Sequence, residues 1–148
     1  MQEAFVVDDF ETMKALIVSG VDVNSIDSRD GSTVLQRAVI QNEIGVVDFL
    51  IENHVDLNKT DLREMTALHY AAIYKFNDIA KHLIGAGAIV DAKDKNGCTA
   101  LAYAISNRSE GYLEMAKLLV GSGADTDLKT KEGQSLFELF GVSLKDMI

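Results

Sequence analysis

The chain contains no proline, no tryptophan and only one cysteine, Cys98. A lone cysteine excludes an internal disulfide framework and suits a reducing compartment, so we predict a cytoplasmic location. The stretch from Met1 to Phe10 lacks a basic segment followed by an apolar one, and no run approaches the roughly 18 apolar residues of a membrane-spanning helix. The alternative location is that of an effector exported without a cleaved signal peptide.

Basic residues are also scarce, because 14 Lys and Arg stand against 23 Asp and Glu, which gives a net charge of -9. Affinity for nucleic acid comes largely from clustered Lys and Arg, so we expect no nucleic-acid partner. A basic or neutral protein partner fits this charge better. With 148 residues, of which 47% are hydrophobic, the chain is long enough for one domain with a continuous core.

The chain does contain an internal repeat. A hydroxyl residue opens each unit, at Thr33, Thr66, Thr99 and Ser135. The first three follow one another at equal intervals, whereas the interval to Ser135 is longer by three positions. Because Ala71 and Ala104 still keep the shorter interval while Leu83 and Leu119 are separated by the longer one, the three extra residues fall between Ala104 and Leu119. We place this insertion at 108–110, in the joint between two helices.

Each unit reads as a turn followed by two helices. Dipeptides such as Asp30-Gly31 and Asn96-Gly97 favour tight turns, and the hydroxyl residue that follows is a helix N-cap. Small residues then allow two helices to approach closely, and a second apolar stripe at helical spacing ends at a glycine such as Gly87. A single helix pair buries too little surface alone, so successive pairs must stack.

The segment Thr66-Ala67-Leu68-His69-Tyr70-Ala71-Ala72 resembles the ankyrin repeat, whose signature includes Thr-Pro-Leu-His-x-Ala at a 33-residue period. The resemblance implies an all-α ankyrin-repeat solenoid of stacked antiparallel helix pairs with short hairpin loops, about four to five repeats including caps. Within a single domain, 1–148, we expect an N-terminal capping repeat at 1–27, full repeats at 28–60, 61–93 and 94–129, and a C-terminal capping repeat at 130–148. Because both ends look like caps, we expect a free-standing array.

The chain departs from the family pattern at several positions. The usual proline at the start of the first helix is absent everywhere. Glu64 stands where the turn glycine belongs, and His54 where the helix-ending glycine belongs. Since these positions require a left-handed backbone, we predict strained or rebuilt corners there.

A search for catalytic chemistry finds little. His54, His69 and His82 lie too far apart along the chain to match a metal-binding spacing, and Cys98 has no partnered base in the sequence. His69 occupies the family's histidine position, which implies a structural hydrogen-bonding role. We therefore predict no enzymatic activity, no cofactor and no metal. A cleft for a small molecule or a reaction is the alternative from another functional class.

The resemblance implies that a partner protein docks on the concave face of turn tips and first helices. Reading these positions from the sequence predicts the following partner-binding residues: Arg29, Asp30, Ser32, Arg37, Ile40, Gln41, Leu62, Arg63, Met65, Tyr70, Ile73, Tyr74, Lys95, Asn96, Cys98, Tyr103, Ser106 and Asn107. Among them Leu62, Met65, Ile73 and Tyr74 form a predicted apolar patch rimmed by Arg63 and Arg37. Alternatively, Ile73 and Tyr74 pack between repeats and Leu62 folds back over its turn.

The predicted function is therefore a non-catalytic protein-binding module, an adaptor, inhibitor or scaffold, which is monomeric by itself. A more specific alternative is a bacterial immunity or effector protein that masks a basic enzyme, for which association weakens with added salt. Asn24 and Asn58 resemble sites where some eukaryotic ankyrin repeats are hydroxylated. The alternative role for both asparagines is to tie their loops together through backbone hydrogen bonds.

Overall fold

A computed structural model describes residues 10–106, 108–135 and 138 of the chain. These residues form seven α-helices, and the predicted all-α class is confirmed. The helices are α1 Phe10–Val18, α2 Val34–Ile40, α3 Ile44–Glu52, α4 Ala67–Tyr74, α5 Asn77–Gly85, α6 Ala100–Ser106 and α7 Tyr112–Gly121. Extended pairing in the described part is limited to two antiparallel bridges, Ile26 with Thr33 and Lys129 with Ser135.

The helices form two layers. The first helices of successive repeats, α2, α4 and α6, pack against one another in order, and the second helices, α3, α5 and α7, do the same. Each first helix also packs on the second helix of its own repeat. The segment between α6 and α7, 107–111, is three residues longer than the segment 75–76 between α4 and α5, so the insertion lies at the predicted joint.

The predicted hydroxyl caps begin the first helices. Thr33 and Thr66 each accept a hydrogen bond from the backbone N–H three residues later, and the side chain there, Gln36 or His69, accepts the N–H of the threonine in return. Thr99 also accepts a hydrogen bond, from the Ala102 N–H at 3.3 Å. Each such cap stabilises a helix start by about 1 kcal/mol.

The hydrophobic core is a continuous spine rather than a single centre. One leucine from each second helix, Leu50, Leu83 and Leu119, is completely buried, and Ala71 and Ala104 are completely buried on the first helices. The alanines let neighbouring helices approach closely, and the leucines belong to the same buried core cluster. Truncating such a leucine to alanine costs about 2–5 kcal/mol, so the stacking of neighbours supplies most of the stability.

Of the four non-glycine residues with a left-handed backbone in the described part of the chain, two stand where the family has glycine. Glu64 has a φ of 60°, close to the 70° of Gly31 and the 78° of Gly97 at the equivalent turns. His54 has a φ of 61° just after α3. The predicted strain is therefore present, about 1 kcal/mol at each position, but the corners are not rebuilt.

Candidate functional site: the hairpins and the cleft between repeats

A buried aspartate organises the hairpin of the third repeat. One carboxylate oxygen of Asp61 accepts the backbone N–H groups of Arg63 at 2.9 Å and Met65 at 3.1 Å, and the other accepts the hydroxyl of Tyr70 on α4. Asp94 makes the same pattern in the fourth repeat, and its second oxygen accepts the hydroxyl of Tyr103. Each hairpin is thus fixed to the helix that follows it.

At the hairpin that leads into the second repeat, arginines replace the tyrosine. Asp27 accepts the backbone N–H of Arg29 at 2.8 Å, and its carboxylate also pairs with the guanidinium groups of Arg29 and Arg37, each at 2.7 Å. The hydrogen bonds from Arg29, with a smaller contribution from the charge of Arg37, hold the pKa of Asp27 well below its usual range. The carboxylate is therefore ionised and already neutralised within the chain.

Tyr70 connects the buried aspartate to an exposed cation. The Tyr70 hydroxyl donates to Asp61 and accepts a hydrogen bond from Nη2 of Arg63 at 2.7 Å. The Arg63 guanidinium lies 5.8 Å from the centre of the Tyr70 ring. Burial, followed by the bond to the Asp61 carboxylate, raises the pKa of Tyr70 to about 12, so the hydroxyl stays protonated and keeps both contacts at neutral pH.

A cleft of about 670 Å³ lies between the second and third repeats, on the side of the hairpins and first helices. It is lined by Arg29, Asp30, Ser32, Arg37, Ile40, Gln41, Asp61, Leu62, Arg63, Tyr70 and Tyr74. Apart from Asp61, these are residues that the sequence predicted for the docking face. The cleft therefore gathers the predicted positions of two repeats into one concave surface.

The predicted apolar patch is only partly as expected. Leu62 is 68% exposed and Tyr74 is 48% exposed, so both present apolar surface at the cleft. Ile73 is half-buried against the core. Met65, however, is only 3% exposed, and its predicted place in the patch is wrong. Its backbone is held on both sides, by Asp61 at the N–H and by Gln36 at the carbonyl, so its side chain faces the core.

Other predicted residues separate into buried and distant groups. Tyr70, 6% exposed, and Ser32, 9% exposed, line the cleft with little exposed surface, and their contact with a partner stays a prediction. Lys95 and Asn96 are exposed on the next hairpin and Tyr103 is half-buried, but none of the three lines the cleft. Asn107 lies outside the described residues.

The sequence analysis missed the aspartates that anchor the hairpins. A signal was present, because Asp61 precedes Tyr70 by nine residues and Asp94 precedes Tyr103 by nine. An acid and a tyrosine that stand nine residues apart in two successive repeats indicate a contact between their side chains, because both positions of the pair are filled together in each repeat.

His69 has the predicted structural role. Its Nδ1 accepts the backbone N–H of Thr66 at 3.0 Å, and its Nε2 lies 3.0 Å from the carbonyl oxygen of Cys98 in the next hairpin. Nε2 must therefore carry the proton and donate to that carbonyl. Burial lowers the pKa of the ring, in keeping with a neutral imidazole.

Asn24 and Asn58 also bridge successive repeats. The side-chain oxygen of Asn24 accepts the Asp56 N–H at 2.7 Å, and that of Asn58 accepts the Ile89 N–H at 2.9 Å. The structure thus supports the loop-tying role for both asparagines, and their hydroxylation stays a hypothesis.

The described residues show little equipment for chemistry. No group of three or more His, Cys, Asp and Glu side chains in this part of the chain is arranged to hold a metal ion. Burial raises the pKa of Cys98, which disfavours the reactive thiolate. None of the helices between residues 10 and 135 has the length and apolar character needed to cross a membrane.

Stacked helix pairs joined by anchored hairpins define the molecule as a helical solenoid built from a sequence repeat. The family model for ankyrin repeats in three copies matches residues 1–94 and 45–130. The chain belongs to the ankyrin-repeat family, which confirms the resemblance that the sequence showed.

Similar proteins carry these repeats within much longer chains. The chain is 35% identical over 108 residues to the E3 ubiquitin-protein ligase Ufd4 of Drosophila melanogaster, covering 72% of this chain but 4% of the ligase. It is 34% identical over 94 residues to ankyrin repeat and SOCS box protein 6 of Mus musculus, covering 62% of this chain and 22% of that protein. With ankyrin repeat and SAM domain-containing protein 6 of Rattus norvegicus, identity is 32% over 93 residues, covering 62% of this chain and 10% of the relative. Ankyrin repeats are generally protein–protein interaction modules, and the similarity extends to that module alone.

Proposed function

We propose that the chain is a non-catalytic module, an adaptor, inhibitor or scaffold, that binds a partner protein in the cleft between its second and third repeats. The observation that carries the proposal is the exposure of Leu62 and Tyr74 at this cleft, next to the guanidinium of Arg63. Apolar side chains that stay exposed inside a concave, charge-rimmed surface are typical of interaction sites.

The cleft also has a rigid frame. The backbone N–H of Leu62 donates to the Asp30 carbonyl of the previous hairpin at 3.3 Å, and that of Lys95 donates to the Arg63 carbonyl at 3.0 Å. Neighbouring hairpins are therefore connected to each other as well as to their helices. A surface held in this way loses little conformational entropy when a partner binds, which favours affinity.

The experiment is a cleft variant, Leu62→Ser with Tyr74→Ser, compared with Ile89→Ser. Ile89 is 55% exposed but does not line the cleft, so it is a matched control for the loss of exposed apolar surface. The partner is captured from a lysate of the source organism, identified by mass spectrometry and then titrated in purified form. We expect the cleft variant to raise Kd at least about tenfold, because central apolar contacts contribute roughly 1–2 kcal/mol each.

The proposal is contradicted if the cleft variant keeps both its Tm and its affinity for the partner while Ile89→Ser binds more weakly. The binding site would then lie on another surface. The Tm separates this outcome from partial unfolding.

A basic partner would have to meet a different part of the chain. The segment 43–58, which covers α3 and the loop behind it, contains Glu43, Asp48, Glu52 and Asp56 and no Lys or Arg. This acidic segment supports the alternative function of an immunity or effector protein that masks a basic enzyme. In that case affinity falls steeply with added salt, and substitution of these acids weakens binding more than substitution of Leu62.

Location and assembly are part of the same proposal. The single, half-buried Cys98 supports a reducing, cytoplasmic setting, because a lone cysteine cannot form a stabilising disulfide within the chain. We also propose that the module is monomeric by itself. Light scattering of the purified chain across a concentration series tests the second statement.

A further inference from the structure

The net charge of -9 is unevenly distributed over the molecule. The segment 43–58, which covers α3 and the loop behind it, is acidic, whereas α5 and α7 each carry one acidic residue and one lysine. The hairpins instead carry a basic residue at each tip in turn: Arg29, Arg63, Lys95 and Lys131. The docking side is therefore much less negative than the whole chain, and a partner that meets it does not have to be basic.

The three arginines of the cleft differ in how they are paired. Arg29 and Arg37 both pair with Asp27 at 2.7 Å, and Arg37 also lies 3.9 Å from the Asp30 carboxylate. Arg63 forms none of the ion pairs found among the described residues; its polar side-chain partner is the Tyr70 hydroxyl. Of these three guanidinium groups, that of Arg63 is the one whose charge has no carboxylate at salt-bridge distance.

Arg63 is also held in place for a ligand. One of its terminal nitrogens is engaged by Tyr70, whose hydroxyl is fixed in turn by the buried Asp61. The other donors of the guanidinium are available at the cleft, beside the exposed side chain of Leu62. A guanidinium in fixed orientation binds a carboxylate with less loss of side-chain entropy than a free surface arginine.

We propose that the cleft selects a protein segment in which a carboxylate side chain lies next to an apolar one, with Arg63 receiving the carboxylate and Leu62 and Tyr74 receiving the apolar group. This inference rests on the proposed function, since it names the chemistry of the partner at the same site. The site favours a single negative charge, because Asp30 and Asp61 line the same cleft and would repel the second charge of a phosphate.

The test begins with a library of short random peptides displayed on phage and selected against the full chain. Selected peptides are then synthesised in three forms: with the acidic residue, with its amide (Asp→Asn or Glu→Gln), and with phosphoserine in its place. Each is titrated against the wild-type chain, Arg63→Gln and the control Lys131→Gln, which removes an exposed cation from a hairpin outside the cleft. A double-mutant cycle between peptide and chain isolates the pair.

We expect the selected peptides to be rich in Asp or Glu beside an apolar residue. Replacing the acid by its amide should weaken binding to the wild-type chain and to Lys131→Gln on the order of tenfold, as for a charge-assisted hydrogen bond, and should leave binding to Arg63→Gln unchanged. An equal preference for the acid in Arg63→Gln, or tighter binding of the phosphoserine form, would overturn the inference.

Failure of the inference and failure of the proposed function give different results. Peptides that lose affinity in Leu62→Ser with Tyr74→Ser but carry no acidic residue would overturn the inference and leave the cleft as the docking site. Peptides that bind this cleft variant as tightly as the wild-type chain, or the absence of any peptide that depends on the cleft, would count against both. The Tm of Arg63→Gln shows whether its hairpin is still formed.

Discussion

Successive junctions of this solenoid differ at one buried position of the first helix. Between the second and third repeats, Gln36 donates from Nε2 to the Met65 carbonyl at 2.6 Å. Between the third and fourth repeats, His69 donates from Nε2 to the Cys98 carbonyl at 3.0 Å. At the next junction the equivalent residue is Ala102, which has no side-chain donor for the equivalent carbonyl, that of Gln134.

The hairpins nevertheless close in the same way at all three junctions. The carbonyls of Met65, Cys98 and Gln134 accept the backbone N–H of Asp61, Asp94 and Thr130, respectively. Apolar stacking therefore suffices to bring repeats together, whereas the buried side chain of Gln36 or His69 adds a bond that holds the next hairpin to the preceding repeat. The cleft lies beside a fixed hairpin, which is what a preformed docking surface requires.

Among variants that remove one of these contacts between repeats, His69→Ala is expected to lose the most stability. His69 is 1% exposed, and its removal leaves the Thr66 N–H and the Cys98 carbonyl without the ring while opening a cavity. We expect a loss of about 2–4 kcal/mol in the free energy of unfolding, measured by urea denaturation. His69→Gln is the matched variant, because Gln36 makes the equivalent contacts one repeat earlier, and we expect it to lose much less. Equal losses in the two variants would show that the ring's shape matters more than its hydrogen bonds.

A smaller effect should appear in the pH dependence of stability. Burial lowers the pKa of His69 in the folded chain below the ordinary value of 6.5, so the unfolded chain binds the proton more tightly. The contribution of the neutral ring is therefore complete above about pH 6.5 and is lost as the pH falls toward the lowered pKa. Glutamine does not titrate. As the pH falls through this window, the unfolding free energy of the wild-type chain should therefore decrease more than that of His69→Gln. A difference independent of pH would contradict the assignment.

The parts of the molecule that sequence could predict are those with a periodic signal. Thr33, Thr66 and Thr99 recur with the spine residues, so caps, helix pairs and the position of the insertion follow from spacing. Met65 shows why the prediction of the site was less complete. Its position at a turn tip suggested exposure, but the direction of its side chain depends on Gln36 and Asp61, which hold its backbone from a helix one repeat away and from the base of its own hairpin.

Prediction of the cleft and its charges would have required information about which side chains contact one another. That Arg63 lacks a carboxylate partner while Arg37 has one is a matter of side-chain geometry across repeats. The sequence shows only that both are arginines on the same face. Charge composition was misleading for the same reason, because the total of -9 does not say on which side of the solenoid the acids lie.

The smallest expected effect comes from adding the missing contact with Ala102→Gln. A net hydrogen bond contributes about 0.5–1.5 kcal/mol, and ordering a glutamine side chain costs up to about 2 kcal/mol, so global stability should change little. The local effect is easier to detect, since a donor for the Gln134 carbonyl would hold the last described hairpin closed. We expect slower hydrogen exchange at the N–H groups of Thr130 and Gly133, which bond within this hairpin.

Ala102→Met is the control for this variant, because methionine occupies similar space without donating. Ala102 is 3% exposed, so both longer side chains must be accommodated between α6 and the hairpin that follows. Slower exchange in Ala102→Gln alone would mean that the absent donor is what distinguishes this junction from those at Gln36 and His69. Slower exchange in both variants would assign the difference to packing, and the polar contact would then be one of two equivalent ways to hold a hairpin against the preceding repeat.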